Sequence, residues 1–535
     1  MNTALNFTNL DLGVFITYLV LMMGFGIWIA QRNRTENSSD YFLASKSLPW
    51  WAVGGSLIAS NISAEQMIGM AGSGFAIGLA ISSYELMAAA TLIVVAKFLL
   101  PLFLKNNIYT MPQFLEQRFD GRVRTGLAIF WVLLFVFVNI TSLFYLGGLA
   151  IENIMGVPLM TAVIGLAIYS ATFSIFGGLK AVVWTDVVQV IVLIVGGSAA
   201  TILILNALSD GGGVWTGLQV LYEKAPEKFD MIFTPDVTYI DIESGIPKSA
   251  YDLLPGLGVL IGGMWIANLY YWGFNQYIIQ RALAAQNIDE AQKGMVFAAL
   301  IKVFLPFIVV IPGIAAFVLD ADITKADQAY PWVINNYVFT GFKGIVVAAI
   351  VAAIGSSLSS MVNSTSTIYT LDIHKKLFSP KASEMQLVNI GKITSAVAIV
   401  LGVIMTPALK SFDQIFQFIQ EYTGFISPGI LAIFLFGLFW RKTTTNAALS
   451  AVFLAIPISL GLKAFAGDLA FLHRMGISFV LISLLIIGIS MGEGGGKDAD
   501  KAIDAPAELF DTGTVFNLTS VIVIGLLAVI YGWFW

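Results

Sequence analysis

Long apolar stretches follow one another along almost the whole chain, separated by short polar segments. An α-helix of about twenty apolar residues is long enough to cross the hydrocarbon core of a bilayer. The alternation of apolar and polar residues that marks the strands of a membrane β-barrel is absent from the sequence. The pattern therefore predicts an all-α integral membrane protein.

Windows of this length predict about fourteen transmembrane helices. We place them at residues 10–31, 50–72, 79–104, 124–152, 158–177, 184–207, 253–278, 291–318, 343–373, 386–407, 412–440, 444–465, 469–491 and 514–535. Two longer polar segments interrupt the series, at 206–252 and 492–514, and the first contains a short helical pattern over 214–224. Neither segment is large enough to form a soluble catalytic domain.

The composition agrees with a membrane protein and excludes several kinds of site. Of the 535 residues, 58% are hydrophobic and 11% are charged, and the mean hydropathy is +0.84, whereas soluble domains carry about 25% charged residues. The chain has 0 Cys and 2 His, so disulfides and thiolate metal sites are excluded and histidine-based catalysis within the membrane is disfavoured. The net charge of −5 is scattered over the loops and provides no basic face for nucleic acid.

Basic residues are concentrated in alternate predicted loops, which the positive-inside rule assigns to the cytoplasm. They are Arg32, Arg34, Lys46, Arg118, Arg122, Arg124, Lys180, Arg281, Lys293, Lys375, Lys376, Lys381, Arg441, Lys442, Lys497 and Lys501. This distribution predicts that both termini lie outside the cytoplasm.

The predicted second helix carries polar side chains at a depth where a membrane helix is normally apolar. Within Gly54–Gly69 they are Ser56, Ser60, Asn61, Ser63, Glu65 and Gln66. Lipid offers no partners for such groups, so the segment must face protein or a water-filled cavity. We interpret it as half of a binding site.

A second stretch echoes the start of this segment. Gly262–Asn268, in the predicted seventh helix, repeats the pattern of Gly54–Asn61 with one residue removed. Because the second and seventh helices are five positions apart in the series, an odd offset, they cross the membrane in opposite senses. Inverted, glycine-interrupted pairs of this kind mark the binding sites of secondary transporters, and chance similarity is the alternative.

Charged residues inside predicted helices are costly unless they are paired or hydrated. They are Glu65, Glu85, Lys97, Lys302 and Glu421. If the third and eighth helices meet, Glu85 and Lys302 can neutralise each other and still offer oxygens and an ammonium group to a polyhydroxyl ligand. A purely structural ion pair is the alternative interpretation.

Two further segments favour a sugar and a cation. Residues 267–276 combine amides and aromatic rings, a mixture that suits a sugar because rings cover its C–H face while amides bond its hydroxyls; a belt of interfacial aromatics is the alternative. Hydroxyl residues recur in the predicted ninth helix, including Ser356 and Ser357. They either bind a hard monovalent cation together with freed backbone carbonyls or allow close helix packing.

Sequence segments from the second to the eleventh predicted helix resemble the sodium/solute symporters, specifically the bacterial sodium/sugar cotransporters of the sodium/galactose type. They are KSLPWWAVG at 46–54, NISAEQ at 61–66, GGLKAVVWTD at 177–186, WGFNQYIIQR at 272–281 and QEYTG at 420–424. The resemblance implies sodium-coupled symport of a monosaccharide, galactose or glucose, by alternating access across a bacterial inner (cytoplasmic) membrane.

The same resemblance implies a leucine-transporter-like core, in which five helices are repeated in inverted sense and the second and seventh helices are broken. The chain then divides into a first helix with its loop (1–49), a first repeat (50–207), an external loop (208–252), a second repeat (253–440) and peripheral helices with a cytoplasmic linker (441–535).

Residue roles also follow from the resemblance. Sugar contacts are implied for Gln66, Glu85, Asn268 and Lys302, with Gln420 close by and Tyr271 beneath the ring. Tyr271 is implied as the inner gate, held by Asn61 beside Trp272, and Met70, Tyr84 and Phe416 as the outer gate. The sodium ion is implied to take carbonyls of Ala59, Ile62 and Ala353 and hydroxyls of Ser356 and Ser357, with Asp186 on its exit path.

One departure from the family pattern leaves the solute open. Ala88 stands where the galactose transporters have a serine, and a lost hydroxyl changes which sugar hydroxyl is preferred. A polyol, an amino acid or a carboxylate is therefore an alternative solute, although Glu85 with Lys302 favours hydroxyls over a carboxylate. A membrane-embedded enzyme is a distant alternative, because no His or Cys accompanies Glu65 and Glu85.

Overall fold

The computed structural model describes residues 7–32, 41–42, 44–63, 65–108, 110–411 and 415–535. These residues form α-helices, short π-helical and 3₁₀ segments, and one small sheet. The helices of the first half are α1 (Asn9–Arg32), α2 (Trp50–Asn61), α3 (Ala71–Ile77), α4 (Ser83–Val94), α5 (Leu100–Lys105), α6 (Met111–Arg118), α7 (Gly121–Leu134), α8 (Thr141–Met155), α9 (Leu159–Leu208) and α10 (Gly213–Lys224).

The second half contains the remaining helices and is again mostly helical. They are α11 (Leu257–Ile261), α12 (Gly263–Leu269), α13 (Gln276–Leu283), α14 (Ile288–Val309), α15 (Ile311–Val318), α16 (Ala329–Tyr337), α17 (Phe342–Ile368), α18 (Lys375–Leu377), α19 (Glu384–Met405), α20 (Ile415–Gly424), α21 (Ser427–Phe439), α22 (Thr445–Phe465), α23 (Phe471–Gly492) and α24 (Thr514–Trp533). The π-helical segments are Glu65–Met70, Val95–Leu99, Phe135–Ile140, Tyr270–Phe274 and Tyr369–His374.

The long polar segment before α11 has structure of its own. Its helix α10 coincides with the helical pattern predicted at 214–224. Strands β1 (Thr238–Ile240) and β2 (Pro247–Ser249) pair antiparallel, with Tyr239 opposite Lys248.

Eleven helices among the described residues are long and apolar enough to cross a membrane. This confirms the predicted all-α, multi-pass class. Neither of the predicted helices 50–72 and 253–278 is one continuous helix, because each is divided into short helices and a π-helical segment.

Side-chain hydrogen bonds explain the first interruption. Ile62, directly after α2, has an extended backbone (φ −74°, ψ 110°). The N–H of Ser63 donates to Gln66 Oε1 at 2.9 Å, and the N–H of Glu65 donates to Ser63 Oγ at 3.0 Å. The Ser63 N–H would otherwise continue the helix by bonding to the carbonyl of Ala59, so local side chains compete with the helix for its donors.

The second interruption lies after the π-helical segment Tyr270–Phe274. Asn275 is extended (φ −82°, ψ 121°) and separates that segment from α13. The next residue is used for packing, since Gln276 Oε1 accepts the backbone N–H of Met111 at 2.8 Å. One of the amides in the predicted sugar-binding segment is therefore structural.

Helix α2 is surrounded by α9, α13, α14 and α17. It crosses α14 at a pair of glycines: a Cβ on Gly54 would lie 2.6 Å from the carbonyl oxygen of Gly294, and a Cβ on Gly294 would lie 2.8 Å from the carbonyl oxygen of Trp50. Only glycine fits on either side of such a crossing. Since α14 also carries Lys302, this contact helps to set the distance between Lys302 and α2.

Candidate functional site

A cavity of about 780 Å³ lies between the two interrupted segments. Ligand pockets usually measure about 300–1,000 Å³. Every residue predicted to contact the solute lines this one cavity: Gln66, Glu85, Asn268, Tyr271, Lys302 and Gln420. Residues that are far apart in sequence thus meet around one space, as the predicted site requires.

A buried ion pair forms one wall of the cavity. Lys302 Nζ donates to Glu85 Oε2 and to Asn61 Oδ1, and both members of the pair are almost fully buried. The ammonium group also lies 5.1 Å from the ring centroid of Trp272. Mutual neutralisation permits both charges at this depth.

Tyr271 forms a second wall. Asn61 Nδ2 donates to the Tyr271 hydroxyl at 2.9 Å, and the Tyr277 hydroxyl donates to the same oxygen. The ring of Trp272 lies edge-on at 5.2 Å. Asn61 thus bonds Lys302 through its oxygen and Tyr271 through its nitrogen, so it links the ion pair to the tyrosine.

The internal bonds determine which groups face a ligand. The oxygen of Gln66 accepts from Ser63, which leaves its NH₂ as a donor. Asn268 Nδ2 donates to the carbonyl of Met264 at 3.1 Å, which leaves its Oδ1 as an acceptor. Glu85 keeps its second oxygen, and Lys302 keeps a third proton. The cavity therefore combines donors and acceptors around a neutral ion pair.

The predicted gate residues differ in their relation to the cavity. Asn61, Tyr84, Tyr271 and Trp272 line it. Met70 is fully buried and is not among its lining residues. The side chain of Phe416 lies outside the described residues.

The predicted sodium ligands lie where α2 meets α17. Ala59, Ile62, Ala353, Ser356 and Ser357 are all buried there. Ser357 Oγ donates to the carbonyl of Ser60 at 3.0 Å, so its oxygen sits against the end of α2. Because the Ser63 N–H is bonded to Gln66, the Ala59 carbonyl is relieved of its usual helical donor. Hydroxyls from one helix and carbonyls from another suit a hard monovalent cation.

A second buried ion pair adjoins these residues. Asp186 and Arg281 approach to 3.7 Å, and both are fully buried. Asp186 also accepts hydrogen bonds from Ser56 at 2.5 Å and from Ser356 at 2.5 Å. Arg281 was counted among the cytoplasmic loop charges in the sequence; it lies instead inside the protein, on α13.

Other cavity residues were not assigned from the sequence. Asn139, Glu65 and Asn275 each line the cavity and have one buried side-chain oxygen without a partner among the described residues. An intramembrane carboxylate was a signal for Glu65, and the amide cluster was a signal for Asn275. Asn139 lies in an apolar stretch that gave no such signal.

A family model decides the class of protein: the model of the sodium:solute symporter family matches residues 41–455. The chain belongs to this family. The sodium/glucose cotransporter of Vibrio parahaemolyticus is 46% identical over 545 residues, covering 98% of this chain and 98% of that protein. Sodium/myo-inositol cotransporter 2 of Mus musculus is 30% identical over 479 residues, covering 84% of this chain and 69% of that protein.

Solved structures of sodium:solute symporters and their relatives share the fold. A Na⁺-coupled sialic acid symporter has a TM-score of 0.79 at 22% identity, covering 92% of this chain and 99% of that one. Mhp1, a nucleobase-cation-symport-1 family transporter, has a TM-score of 0.51 at 13% identity, covering 91% and 99%. The family model and the Vibrio relative confirm the predicted class, a sodium-coupled solute symporter with sodium as the coupling ion.

Proposed function

We propose that this symporter moves a monosaccharide, galactose or glucose, together with sodium by alternating access. The observation that carries the proposal is the single cavity in which Gln66, Glu85, Asn268 and Lys302 present complementary hydrogen-bonding groups. A hydroxyl both donates and accepts hydrogen bonds, so the hydroxyls of a hexose can donate to a carboxylate and accept from an ammonium or an amide group. The Vibrio relative, named a sodium/glucose cotransporter, supports the same solute class.

In this proposal, the hydrogen-bond acceptors and donors of the cavity bind different atoms of the solute. The free oxygen of Glu85 and Oδ1 of Asn268 accept from sugar hydroxyls, while Lys302 and Gln66 donate to sugar oxygens. Gln420 closes the same cavity from α20. Tyr271 covers one face of the sugar ring, and it leaves that position when its bonds to Asn61 and Tyr277 break. Met70, Tyr84 and Phe416 form the opposite gate.

Sodium binds next to this site in the proposal. The ion would be held by the carbonyls of Ala59, Ile62 and Ala353 and by the hydroxyls of Ser356 and Ser357. Asp186, which accepts a hydrogen bond from Ser356, would contact the ion on its exit path. The ion would join α2 to α17 and thereby fix the end of α2, which carries Asn61 and precedes Gln66. Binding of the ion thus orders the groups that bind the sugar. The membrane potential adds about 2.3 kcal/mol per 100 mV for each charge moved.

The finer topology is also part of the proposal. The interruptions at Ile62 and Asn275 are those of broken transmembrane helices, and residues 50–207 and 253–440 form the two inverted repeats within about fourteen spans. Residues 1–49, 208–252 and 441–535 are then the first helix, the external loop and the peripheral part. The loop charges place both termini outside the cytoplasm of a bacterial inner membrane.

A polyol is the strongest alternative solute. The mouse relative is named a myo-inositol cotransporter, and Ala88, which lines the cavity, lacks a hydroxyl. A carboxylate or an amino acid fits less well. Lys302 is already neutralised by Glu85, so the solute's own carboxylate would lie beside the negative charge of Glu85 without a free cation to balance it. We propose transport without chemical change, so the protein is not an enzyme, and recovery of intact solute from vesicles checks this.

Sodium-driven uptake tests the proposal. Purified protein in proteoliposomes is given labelled galactose, glucose or myo-inositol, with an inward gradient of sodium or of potassium. We expect uptake of a hexose only with sodium. Hexose uptake that is unchanged in potassium contradicts the sodium-coupled mechanism, and sodium-dependent uptake of myo-inositol alone contradicts the hexose assignment.

A further inference from the structure

The last helix of the chain, α24, packs against the two helices that carry the Glu85–Lys302 pair, α4 and α14. Its buried positions Phe516, Ser520 and Val523 follow the spacing of one helix face. Positions between them, such as Val521 and Ile522, are exposed. Helix α24 thus turns one face to the helices of the solute site and the other to the bilayer.

One hydrogen bond joins this face to the start of α4. Tyr531 Oη donates to Ser83 Oγ over 3.0 Å. Ser83 is fully buried and is the first residue of α4, two positions before Glu85. The backbone N–H of Ser83 bonds to carbonyls of the preceding 3₁₀ segment, Gly78–Ser82, so the Tyr531 hydroxyl adds a contact from a neighbouring helix at the point where that segment passes into α4.

The residue after α24 anchors its end. The carbonyl of Phe534 accepts the backbone N–H of Met231 at 2.8 Å. Its ring lies 5.6 Å from that of Phe229 and 6.3 Å from that of Tyr222. These contacts limit movement of α24 along its axis, so Tyr531, three residues earlier, is held in register with Ser83.

We propose that Tyr531 is a positioning residue for the solute site: its hydroxyl fixes Ser83 and thereby orients Glu85 toward Lys302 and the solute. The proposal rests on the proposed function, in which Glu85 binds a sugar hydroxyl. Glu85 must present one oxygen to Lys302 and the other to the sugar, and a misplacement of about 1 Å is enough to weaken such an arrangement strongly. Tyr531 does this without lining the cavity.

Tyr531→Phe isolates the hydrogen bond, because it removes the hydroxyl and keeps the ring. In proteoliposomes at saturating sodium, we expect the KM for galactose to rise about 3- to 10-fold, the effect of losing one hydrogen bond. We expect kcat and the sodium concentration for half-maximal uptake to stay within about twofold. Thr519→Val is the matched control: it removes a hydroxyl from the same helix, and that hydroxyl donates to Val515 within α24. Its KM should equal that of the wild type.

Ser83→Ala tests the bond from the other side. The double variant with Tyr531→Phe should have the same KM as either single variant, because a broken bond cannot be lost twice. A wild-type KM in Tyr531→Phe, additive effects in the double variant, or an equal loss of sodium affinity would overturn the positioning role. Absence of sodium-dependent galactose uptake in the wild type would instead overturn the proposed function.

Discussion

Two buried ion pairs lie beside the first interrupted helix, and they differ in what surrounds them. The pair of Glu85 and Lys302 lines the cavity, where each member keeps a hydrogen-bonding position for a ligand. The pair of Asp186 and Arg281 lies outside the cavity lining and is enclosed by protein groups.

Serine hydroxyls and a backbone carbonyl complete the enclosed pair. Ser56 bonds both members, since it donates to Asp186 and accepts from Arg281 Nε at 3.2 Å. Arg281 also donates to Ser360 and to the carbonyl of Tyr277. A buried ion pair is a weak source of stability, but removing one partner leaves an uncompensated charge. We propose that the cavity pair is retained for ligand binding and the enclosed pair for helix arrangement, and each proposal can be tested by neutralising both members of the pair.

The largest effect is expected at the cavity pair. Lys302→Gln leaves Glu85 buried without its cation and replaces the proposed ammonium donor to the sugar by a shorter, neutral amide, so sodium-dependent uptake should fall at least about 100-fold. The double variant Glu85→Gln with Lys302→Gln should recover thermal stability but not uptake. Lys97→Gln is the control, because Lys97 lies in a membrane helix over the ring of Phe98, outside the cavity lining. Recovery of uptake in the double variant would show that this pair has a structural role and does not bind the solute.

Asp186→Asn should lower the thermal stability by an amount typical of a broken buried pair, about 3–5 kcal/mol in unfolding free energy. Neutralising both members, by Asp186→Asn with Arg281→Gln, should restore the midpoint of thermal unfolding in detergent. It should also restore part of the uptake, in contrast to the cavity pair, because an asparagine oxygen can still contact the sodium ion on its proposed exit path. A double variant that is stable and yet inactive would assign the enclosed pair to transport.

A smaller effect is expected where the ion is proposed to bind. Ser357→Ala removes a hydroxyl that contacts the end of α2, and the sodium concentration for half-maximal uptake should rise about fivefold. The KM for sugar at saturating sodium should change less. Ser359→Ala serves as the control, since Ser359 Oγ bonds carbonyls of its own helix. Equal shifts in both variants would attribute the effect to helix packing.

The smallest effect on uptake is expected for Asp327, a buried carboxyl outside the membrane helices that forms no ion pair with another described residue. Burial raises its pKa to about 7, while Lys325 acts in the opposite direction. A raised pKa means that the folded state binds more protons than the unfolded state, so this carboxyl lowers stability as the pH rises from about 4 to 7. Asp327→Asn should therefore raise the unfolding midpoint at pH 8 and leave it nearly unchanged at pH 4. An equal increase at both values would mean that the charge is not responsible.

Membrane helices were predictable because bilayer thickness imposes one length and one composition on them. The special character of the segment around Ile62 was predictable because Ser, Asn and Gln stand there within a predicted membrane helix. The separate role of each side chain was not predictable, because it depends on which backbone N–H the side chain binds. Gln66, for example, accepts the N–H of Ser63. The role of Gln276 was not predictable for the same reason, since its side-chain oxygen accepts the backbone N–H of Met111.

Charge in the predicted loops was the least reliable evidence for the position of a residue. Arg281 follows an apolar stretch and is basic, so the positive-inside rule places it in a loop. Its partner Asp186 lies nearly a hundred residues earlier, and no local pattern connects them. Pairing between distant helices usually requires the tertiary structure, whereas the pairing of Glu85 with Lys302 could be anticipated because both are charged and lie inside predicted membrane helices.

The glycine crossing of α2 and α14 has a mechanical consequence. Because neither Gly54 nor Gly294 leaves room for a side chain, the two helices are in backbone contact where they cross. A side chain at either position would push them apart and lengthen the distance between Lys302 and Asn61, which are hydrogen-bonded to each other.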